Sequence, residues 1–296
     1  MYVKAINEVD QFTRPIHSIF RTYGGIITPG TSTMFFVNEN GVAITCKHVL
    51  NLILQADYIN LQYQKFKSER DSLIKDTKFK RNLRGLEIKH KLKSDSTIQI
   101  KNNFINSVTP FTNIRYHAHP TLDLAILIFE GFTDKHYSSY ATFVKDPNKI
   151  AQGRSLCRLG YPFPEFNNFQ FNTVNDDIEW TTTGNPMSPK FPIDGIITRF
   201  VGDAVSQQID SIEMSTPGLR GQSGGPLFDT DGLVYGMQFL TKHLHLGFDI
   251  VNKEIISDGK KVKVSNQPFL NVGHCIHVNK ITEFLTLNNI KFYEES

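Results

Sequence analysis

The sequence predicts an all-β protein, and three observations support this class. Short apolar segments recur along the chain between glycine, proline, asparagine or aspartate residues, as at residues 41–49 and 122–128, and this pattern is typical of strands separated by turns. The length of 296 residues suits one large all-β domain or two small barrels that share a cleft. A hydrophobic content of 40% is sufficient for a full core.

The predicted elements begin with a helical or irregular lead-in over residues 1–20. A hairpin follows over residues 26–45, because an alternating apolar segment is interrupted by the turn sequence Asn-Glu-Asn-Gly at 38–41. Residues 131–151 are polar and contain an Asp-Pro-Asn turn, which indicates a linker. Further strands of the amino-terminal half are predicted at residues 96–100, 114–118 and 122–128.

The carboxy-terminal half is predicted to consist of strands followed by one helix. Asn279 is a candidate N-cap for that helix, which should cover residues 280–288. A polar hairpin is predicted around residues 257–259. The predicted strands of this half are residues 154–160, 172–174, 195–200, 211–214, 233–240, 247–250 and 273–278.

The most informative motif is Gly-Gln-Ser-Gly-Gly-Pro, from Gly221 to Pro226. A serine hydroxyl becomes an effective nucleophile when an imidazole takes its proton and hydrogen-bond donors stabilise the oxyanion that it creates. The glycines permit a sharp turn that can direct the N–H groups of Gly221 and Ser223 at one spot beside the hydroxyl. Ser223 is therefore a candidate nucleophile.

Two kinds of hydrolase contain such a motif. The G-x-S-x-G elbow of the α/β-hydrolases requires a helix directly after the serine, with the acid and the histidine later in the chain. Here the glycines and Pro226 oppose a helix, and residues 233–240 have the pattern of a strand. The partners of Ser223 are therefore expected upstream.

A histidine and an aspartate precede Ser223 in the order His, Asp, Ser. The apolar segment 41–49 is predicted to be a strand that ends on His48, and the strand at 122–128 carries one carboxylate at its start, Asp123. This order and these contexts resemble the chymotrypsin-like (trypsin-fold) serine proteases, among them the bacterial HtrA-type and other trypsin-like peptidase domains. The resemblance covers most of the chain, including the hairpin near residue 30, the Gly-Tyr-Pro turn at 160–162 and the segment 273–278.

The resemblance implies two Greek-key, six-stranded β-barrels with a basic insertion in the first barrel and a C-terminal helix. No PDZ domain of the kind that HtrA relatives append is expected. The expected divisions are a lead-in, a first barrel with the histidine and the aspartate, a linker, and a second barrel with the serine and the helix, at residues 1–20, 21–135, 136–151 and 152–296.

By the same resemblance the chain would be a serine endopeptidase that acts on protein or peptide substrates without a cofactor. His48 would take the proton of Ser223 and return it to the leaving amine, while Asp123 would hold the other ring nitrogen. The N–H groups of Gly221 and Ser223 would bind the oxyanion. An unregulated endopeptidase would be hazardous to its cell, so a narrow specificity or a trigger is expected.

The residue before Ser223 bears on activation. Secreted zymogens of this family carry there an aspartate that pairs with a newly cut amino terminus, whereas this chain has Gln222, which cannot form that ion pair. Activation is therefore expected to be independent of cleavage near the amino terminus. The loop at residues 216–220 must be ordered in another way, for example by a partner, as in HtrA-type regulation.

The resemblance also implies a primary specificity pocket. Because no acidic residue stands at its base, a preference for Lys or Arg at P1 is not expected, and a neutral or modest apolar side chain is. Phe239 replaces the hydroxyl residue that relatives often offer to the catalytic aspartate. The expected pocket residues are Pro217, Gly218, Phe239, Leu240, Thr241 and Gly273, with Cys275 beneath.

Histidines are frequent near the end of the chain, but no metal site is predicted. His274 and His277 would face opposite sides of one strand, and no short ligand spacing is present. One histidine of this region could instead line the pocket and receive an acidic or amide side chain. The histidines concerned are His243, His245, His274 and His277.

Cysteine usage and the amino terminus indicate the compartment. The three cysteines, Cys46, Cys157 and Cys275, are unlike the disulfide frameworks of secreted proteases, and the first two are expected to be small buried hydrophobes. The amino terminus lacks the apolar region of a signal peptide, and no segment is long enough to span a membrane. These features predict a cytoplasmic protein with free thiols and no membrane contact.

A basic insertion lies between His48 and Asp123, at about residues 62–101. From residue 61 to 101 the sequence has 12 Lys or Arg and 5 Asp or Glu. The expected form is a solvated helical or hairpin excursion on the first barrel, and the alternative is a docking surface for an acidic partner, activator or substrate segment. A paucity of aromatic residues disfavours nucleic acid. Docking would be excluded if partner binding and substrate capture survived charge reversal of Lys78, Lys80, Arg81 and Arg84.

Two other functions remain open at this point. One is a non-catalytic or conditionally active binding module on a protease scaffold, which the apparently intact His, Asp and Ser set disfavours. The other is an esterase of the α/β-hydrolase type, which the residue order and the strand after Pro226 disfavour.

Overall fold

The computed structural model describes residues 1–73, 77–202, 208–257, 259–266 and 269–296. The amino-terminal half contains α1 Val3–Asp10, β1 Thr13–Thr22, β2 Ile27–Phe36, β3 Val42–Thr45, α2 Lys47–Ser72, α3 Phe79–Lys89, β4 Thr97–Phe104, β5 Val108–Thr109, β6 Asn113–Ala118, β7 Ala125–Glu130 and β8 Asp134–Lys135. The carboxy-terminal half contains β9 Thr142–Phe143, a 3₁₀ helix Pro147–Lys149, β10 Ser155–Gly160, β11 Phe169–Asn172, β12 Asp177–Trp180, β13 Phe191–Gly202, β14 Ile209–Met214, β15 Pro226–Phe228, β16 Val234–His245, β17 Ile250–Ser257, β18 Lys260–Asn266, β19 Phe269–His277, α4 Val278–Leu287 and β20 Tyr293–Glu294.

Two curled sheets form the body of the protein. The first has the strand order β4-β1-β2-β3-β7-β6 and remains an open half-barrel. The second has the order β15-β10-β13-β14-β19-β16-β9-β20, and an additional pairing of β15 with β16 closes its first six strands into a barrel. The all-β double-barrel class and the C-terminal helix predicted from the sequence are therefore confirmed.

One hydrophobic core is continuous through both sheets. Every residue of β3 is buried, as are the first five residues of β7, because these central strands are covered on both faces. Residues from both halves belong to the same buried cluster, among them Phe35, Ile126, Leu159 and Met237. The two sheets are thereby held in a fixed relation, which positions residues from both halves at one site.

The amino terminus differs from the predicted lead-in. Residues 3–10 are helical, but β1 is a full sheet strand that pairs with β2 on one side and β4 on the other. Pro15 conceals this strand in the sequence, since proline is typical of sheet edges and bulges. The first sheet therefore begins at Thr13 rather than after residue 20.

The basic insertion is helical. Helix α2 starts directly after β3, and α3 packs against it around a small separate cluster of buried residues, Tyr63, Phe66, Leu86 and Ile98. Two of the charged residues counted in the insertion, Lys75 and Asp76, lie outside the described residues. Several others are engaged within the molecule, since Lys89 pairs with Glu69 and Lys101 pairs with Asp177.

Asp176 fixes the insertion to the rest of the protein. This residue stands in the turn between β11 and β12, and its carboxylate accepts hydrogen bonds from Arg21 at 2.6 Å, Tyr63 at 2.8 Å and Arg70 at 3.1 Å. Burial acts to raise the pKa of Asp176, but these hydrogen bonds and the charge of Arg21 outweigh it and hold the pKa below its usual value. The carboxylate of Asp176 thus links this turn to both β1 and α2.

We expect Asp176→Asn to lower the free energy of unfolding by about 2 kcal/mol at pH 7, because Arg21 would remain buried without its carboxylate. Asparagine tolerates the positive φ of 48° at this position. Since the folded-state pKa is depressed, the difference from wild type should be present above the unfolded pKa of about 3.9 and should disappear as the pH falls through the lower folded value. Urea denaturation at several pH values measures this, with the half-exposed Asp71→Asn as control; equal stability of the two variants would contradict it.

The C-terminal helix is present, but its cap differs from the prediction. Helix α4 begins at Val278, and the N-cap is His277, whose Nδ1 accepts the N–H of Asn279 at 3.2 Å. Burial lowers the pKa of His277 to about 4, so the neutral ring keeps an acceptor nitrogen for this bond. The predicted hairpin around residues 257–259 corresponds to β17 and β18, with Asp258 outside the described residues. Among the described helices, none combines the length and apolar character that a membrane crossing requires.

Candidate active site

His48 and Asp123 form a close pair at the ends of two neighbouring strands of the first sheet, β3 and β7. His48 Nδ1 lies 2.6 Å from Asp123 Oδ2, and the backbone N–H of His48 donates to Asp123 Oδ1 at 2.8 Å. His48 is not at the end of a strand as predicted, because β3 ends at Thr45 and His48 is the second residue of α2. The carboxylate therefore holds both the ring and an otherwise unpaired N–H of the first helical turn.

Asp123 is held in its charged form by its surroundings. Burial acts to raise its pKa, but hydrogen bonds from the ring and backbone of His48 outweigh that effect and lower the pKa below its usual value. Among the described residues, the hydrogen bonds to the Asp123 carboxylate come from His48. With Nδ1 directed at the carboxylate, Nε2 is the ring nitrogen left for other chemistry.

The backbone around Ser223 has the conformation that the glycines of the motif permit. Gly221 has a φ of +89° and Gly224 a φ of +90°, values that favour glycine. A Cβ on Gly221 would lie 2.4 Å from Tyr161 O. The N–H groups of Gly221 and Ser223 have no acceptor among the described residues, so both are available to an oxyanion.

Thr33, in β2, joins this loop to the first sheet. Its N–H donates to Ser223 O at 3.0 Å, and its hydroxyl donates to Gly221 O at 2.7 Å. A Cβ on Gly224 would lie 2.0 Å from Thr33 O, so only glycine allows this approach. The serine loop of the second half is thus fixed to the first half by direct backbone contacts.

Gln222 orders the loop from within. Its side chain is completely buried; Oε1 accepts the N–H of Leu219 at 3.0 Å, and Nε2 donates to Phe191 O at 2.9 Å. The amide thereby takes the place of the ion pair that a zymogen aspartate would make, and the chain itself supplies both partners. These contacts are one way in which the loop is ordered without the ion pair, and a role for a partner stays a prediction.

A groove of about 670 Å³ contains most of the predicted site. His48, Asp123 and Ser223 all line it, although within the described part of the chain the hydroxyl of Ser223 is not hydrogen-bonded to His48. Hydrogen bonds of this kind often tighten only when substrate is bound. Four predicted pocket residues also line the groove, Gly218, Phe239, Leu240 and Thr241, whereas Pro217 and Gly273 are not among its lining residues.

The sequence interpretation missed Arg158, which lies behind the groove, and three residues of its lining, Leu219, Arg220 and Gln238. His243, one of the four histidines named as possible pocket residues, also lines the groove. Arg158 is 0% exposed and donates to Gln238 Oε1 at 2.7 Å. A charged residue inside the otherwise apolar strand β10 was the signal available in the sequence.

Within the described part of the chain, one group of residues has potential metal-ligand atoms close together. Cys46, His48 and Asp123 bring potential ligand atoms within 4.8 Å of one another, but burial raises the pKa of the Cys46 thiol well above its usual value. A protonated thiol is a poor metal ligand. All three cysteines are buried and free.

Residues 32–237 match a family model described as a trypsin-like peptidase domain. The solved structure of the Rv3671c protease from M. tuberculosis, in its active form, is similar over 95% of this chain and 82% of that chain, with 12% identity and a TM-score of 0.48. No curated protein matches the sequence significantly. Because the family model covers more than half of the chain, this protein belongs to the trypsin-like peptidase family.

Proposed function

We propose that this protein is a serine endopeptidase in which His48, Asp123 and Ser223 act as a catalytic triad. The observation that carries the proposal is the His48–Asp123 pair at 2.6 Å in the groove that Ser223 also lines. The free N–H groups of Gly221 and Ser223 beside the hydroxyl add a matching site for negative charge.

In the proposed reaction, Ser223 Oγ attacks the carbonyl carbon of the scissile peptide bond while His48 Nε2 accepts the hydroxyl proton. Asp123 keeps Nδ1 protonated and stabilises the imidazolium. The tetrahedral oxyanion accepts hydrogen bonds from Gly221 and Ser223. The C–N bond then breaks as His48 protonates the leaving amine, and water, activated by His48, hydrolyses the acyl-enzyme.

Constitutive activity follows from the same contacts. Since Gln222 already ties Leu219 and Phe191 together, the oxyanion loop needs neither a cut amino terminus nor an added protein to be ordered. Control of the activity would then lie in substrate selection.

The test is to label the purified chain with a fluorophosphonate and then to profile cleavage of a peptide library. The probe phosphonylates an activated serine with loss of fluoride, so prompt labelling without any added protein is expected, followed by peptide hydrolysis. Ester turnover without peptide cleavage would favour the esterase alternative. Absence of labelling would favour a binding module, and labelling only after addition of a cell extract would contradict constitutive activity.

A further inference from the structure

Arg158 is a buried cation that no described carboxylate contacts directly. Its side chain is 0% exposed, and no carboxylate among the described residues forms an ion pair with it. One guanidinium nitrogen, Nη2, donates to Thr216 O at 2.9 Å, and Nε has no partner among the described residues. An arginine remains protonated in proteins, so a full positive charge lies inside the second barrel.

This charge lies directly behind the specificity groove. A Cβ on Gly273, a predicted pocket residue, would lie 2.1 Å from Arg158 Nη1. The same nitrogen donates to Gln238 Oε1 at 2.7 Å, and Gln238 lines the groove. Gln238 therefore connects the buried guanidinium to the groove.

The contacts of Gln238 fix which end of its amide can meet a substrate. Oε1 is taken by Arg158, while Nε2 donates one hydrogen to Leu240 O at 2.8 Å. The second hydrogen of Nε2 has no acceptor among the described residues. Gln238 is only 2% exposed, so a substrate would meet it through this remaining N–H, which the arginine behind it polarises.

The shape of this region limits the length of the side chain that it can receive. Thr241 Oγ1 donates to Gly218 O at 2.7 Å, which joins the two predicted pocket walls. A Cβ on Gly218 would lie 2.4 Å from Gln238 Nε2, so the amide fills the space beneath that residue. The amide of Gln238 therefore limits the depth of the groove at this point.

Arg220 adds a positive charge at the rim of the groove. Among the described lining residues Asp123 is the single carboxylate, and it is engaged by His48. A basic substrate side chain would therefore meet Arg158 and Arg220 with no free carboxylate in the described lining. A substrate carboxylate would supply a negative charge near both.

From these contacts we propose that the protease selects substrates with an acidic side chain, aspartate or glutamate, at P1, with Gln238 as the contacting residue and Arg158 as its positioning residue. This inference rests on the proposed serine protease activity. It differs from the neutral or modest apolar preference expected from the sequence, which rested on the absence of an acidic residue at the base of the pocket.

The experiment compares peptides that differ only at P1 in isosteric pairs, Asp against Asn and Glu against Gln, with Ala and Lys as references. We expect the acid of at least one pair to be cleaved with a kcat/KM about tenfold or more above its amide at pH 7, and Lys to be the poorest. Equal or lower rates for both acids would overturn the inference. If the acids are not preferred but fluorophosphonate labelling succeeds, the proposed protease function stands and only the proposed P1 specificity fails. If labelling also fails, both proposals fail.

Two variants test the role of the buried charge. Gln238→Glu places a carboxylate next to Arg158, and the new ion pair should preserve folding. The ratio of kcat/KM for the acidic peptide to kcat/KM for its amide should then fall to about one or below. Arg158→Met should give the same loss of ratio if it folds. The exposed Gln152→Glu is the matched control and should leave the ratio unchanged. A ratio that survives Gln238→Glu would reduce Arg158 to a structural role and contradict the proposal.

Discussion

Replacing Ser223 by alanine should abolish fluorophosphonate labelling and lower kcat for a peptide substrate by about 10⁶-fold. The variant removes the nucleophile, so no acyl-enzyme can form, and the remaining groups can only assist the attack of water. The fold should be unaffected, because the structural role of this residue is its carbonyl, which accepts the N–H of Thr33. Intact-mass spectrometry of the labelled protein and a discontinuous peptide assay measure the two effects.

Ser188 provides the matched control. Its hydroxyl lies 2.9 Å from His17 Nε2, so it is a second serine beside a histidine. That pair is buried and has no carboxylate partner among the described residues. The ring of His17 stacks on Phe166, and burial lowers the pKa of His17 to about 4. Ser188→Ala should retain labelling. Labelling that persists in Ser223→Ala and is lost in Ser188→Ala would refute the assignment of the nucleophile.

Asp123→Asn should reduce both the labelling rate and kcat by about 10⁴-fold. Asparagine keeps the size of the side chain and can still accept the N–H of His48. Its amide cannot stabilise the imidazolium, and it allows the proton to reside on Nε2, which is the nitrogen that must accept the proton of Ser223. The rate constants for probe labelling and peptide hydrolysis should therefore fall in parallel.

The chain offers a close control for this substitution. His245 and Asp249 form a similar contact, with Nε2 and Oδ1 2.7 Å apart, but both side chains are exposed and neither lines the groove. Asp249→Asn should leave both rates at the wild-type value. If the two variants behaved alike, the His48–Asp123 pair would have no special role.

The sequence predicted the main features of the fold for physical reasons. Strands such as β7 and β10 are continuous apolar segments that only a covered sheet can accommodate, and the turn at 38–41 marks the first hairpin. Strand β1 was not recognised because Pro15 interrupts its pattern and because its partner β4 lies far away in the chain. The start of α2 was missed since the apolar residues after Thr45 fit a strand as well as a first helical turn.

The site was predictable to the extent that its chemistry is encoded locally. A serine between glycines, a histidine after an apolar strand and an aspartate before another one each carry a local signal. The contact of Arg158 with Gln238 joins β10 to β16 across the interior of the barrel, and no spacing in the sequence indicates it. The sequence showed that Gln222 cannot form the ion pair of a zymogen aspartate. It did not show the hydrogen bonds that Gln222 makes, because these depend on where Phe191 lies in the fold.

The position of Thr33 has a consequence for how such an enzyme could be switched off. The hydrogen-bonded pair of His48 and Asp123 belongs to the amino-terminal half alone, whereas the carbonyls of Gly221 and Ser223 accept bonds that cross from Thr33 to the other half. Loss of those crossing bonds would release the loop that carries Gly221 and Ser223, while the bond between His48 and Asp123 stayed in place. A change at Thr33 would therefore disturb the proposed activity without touching the acid–base pair.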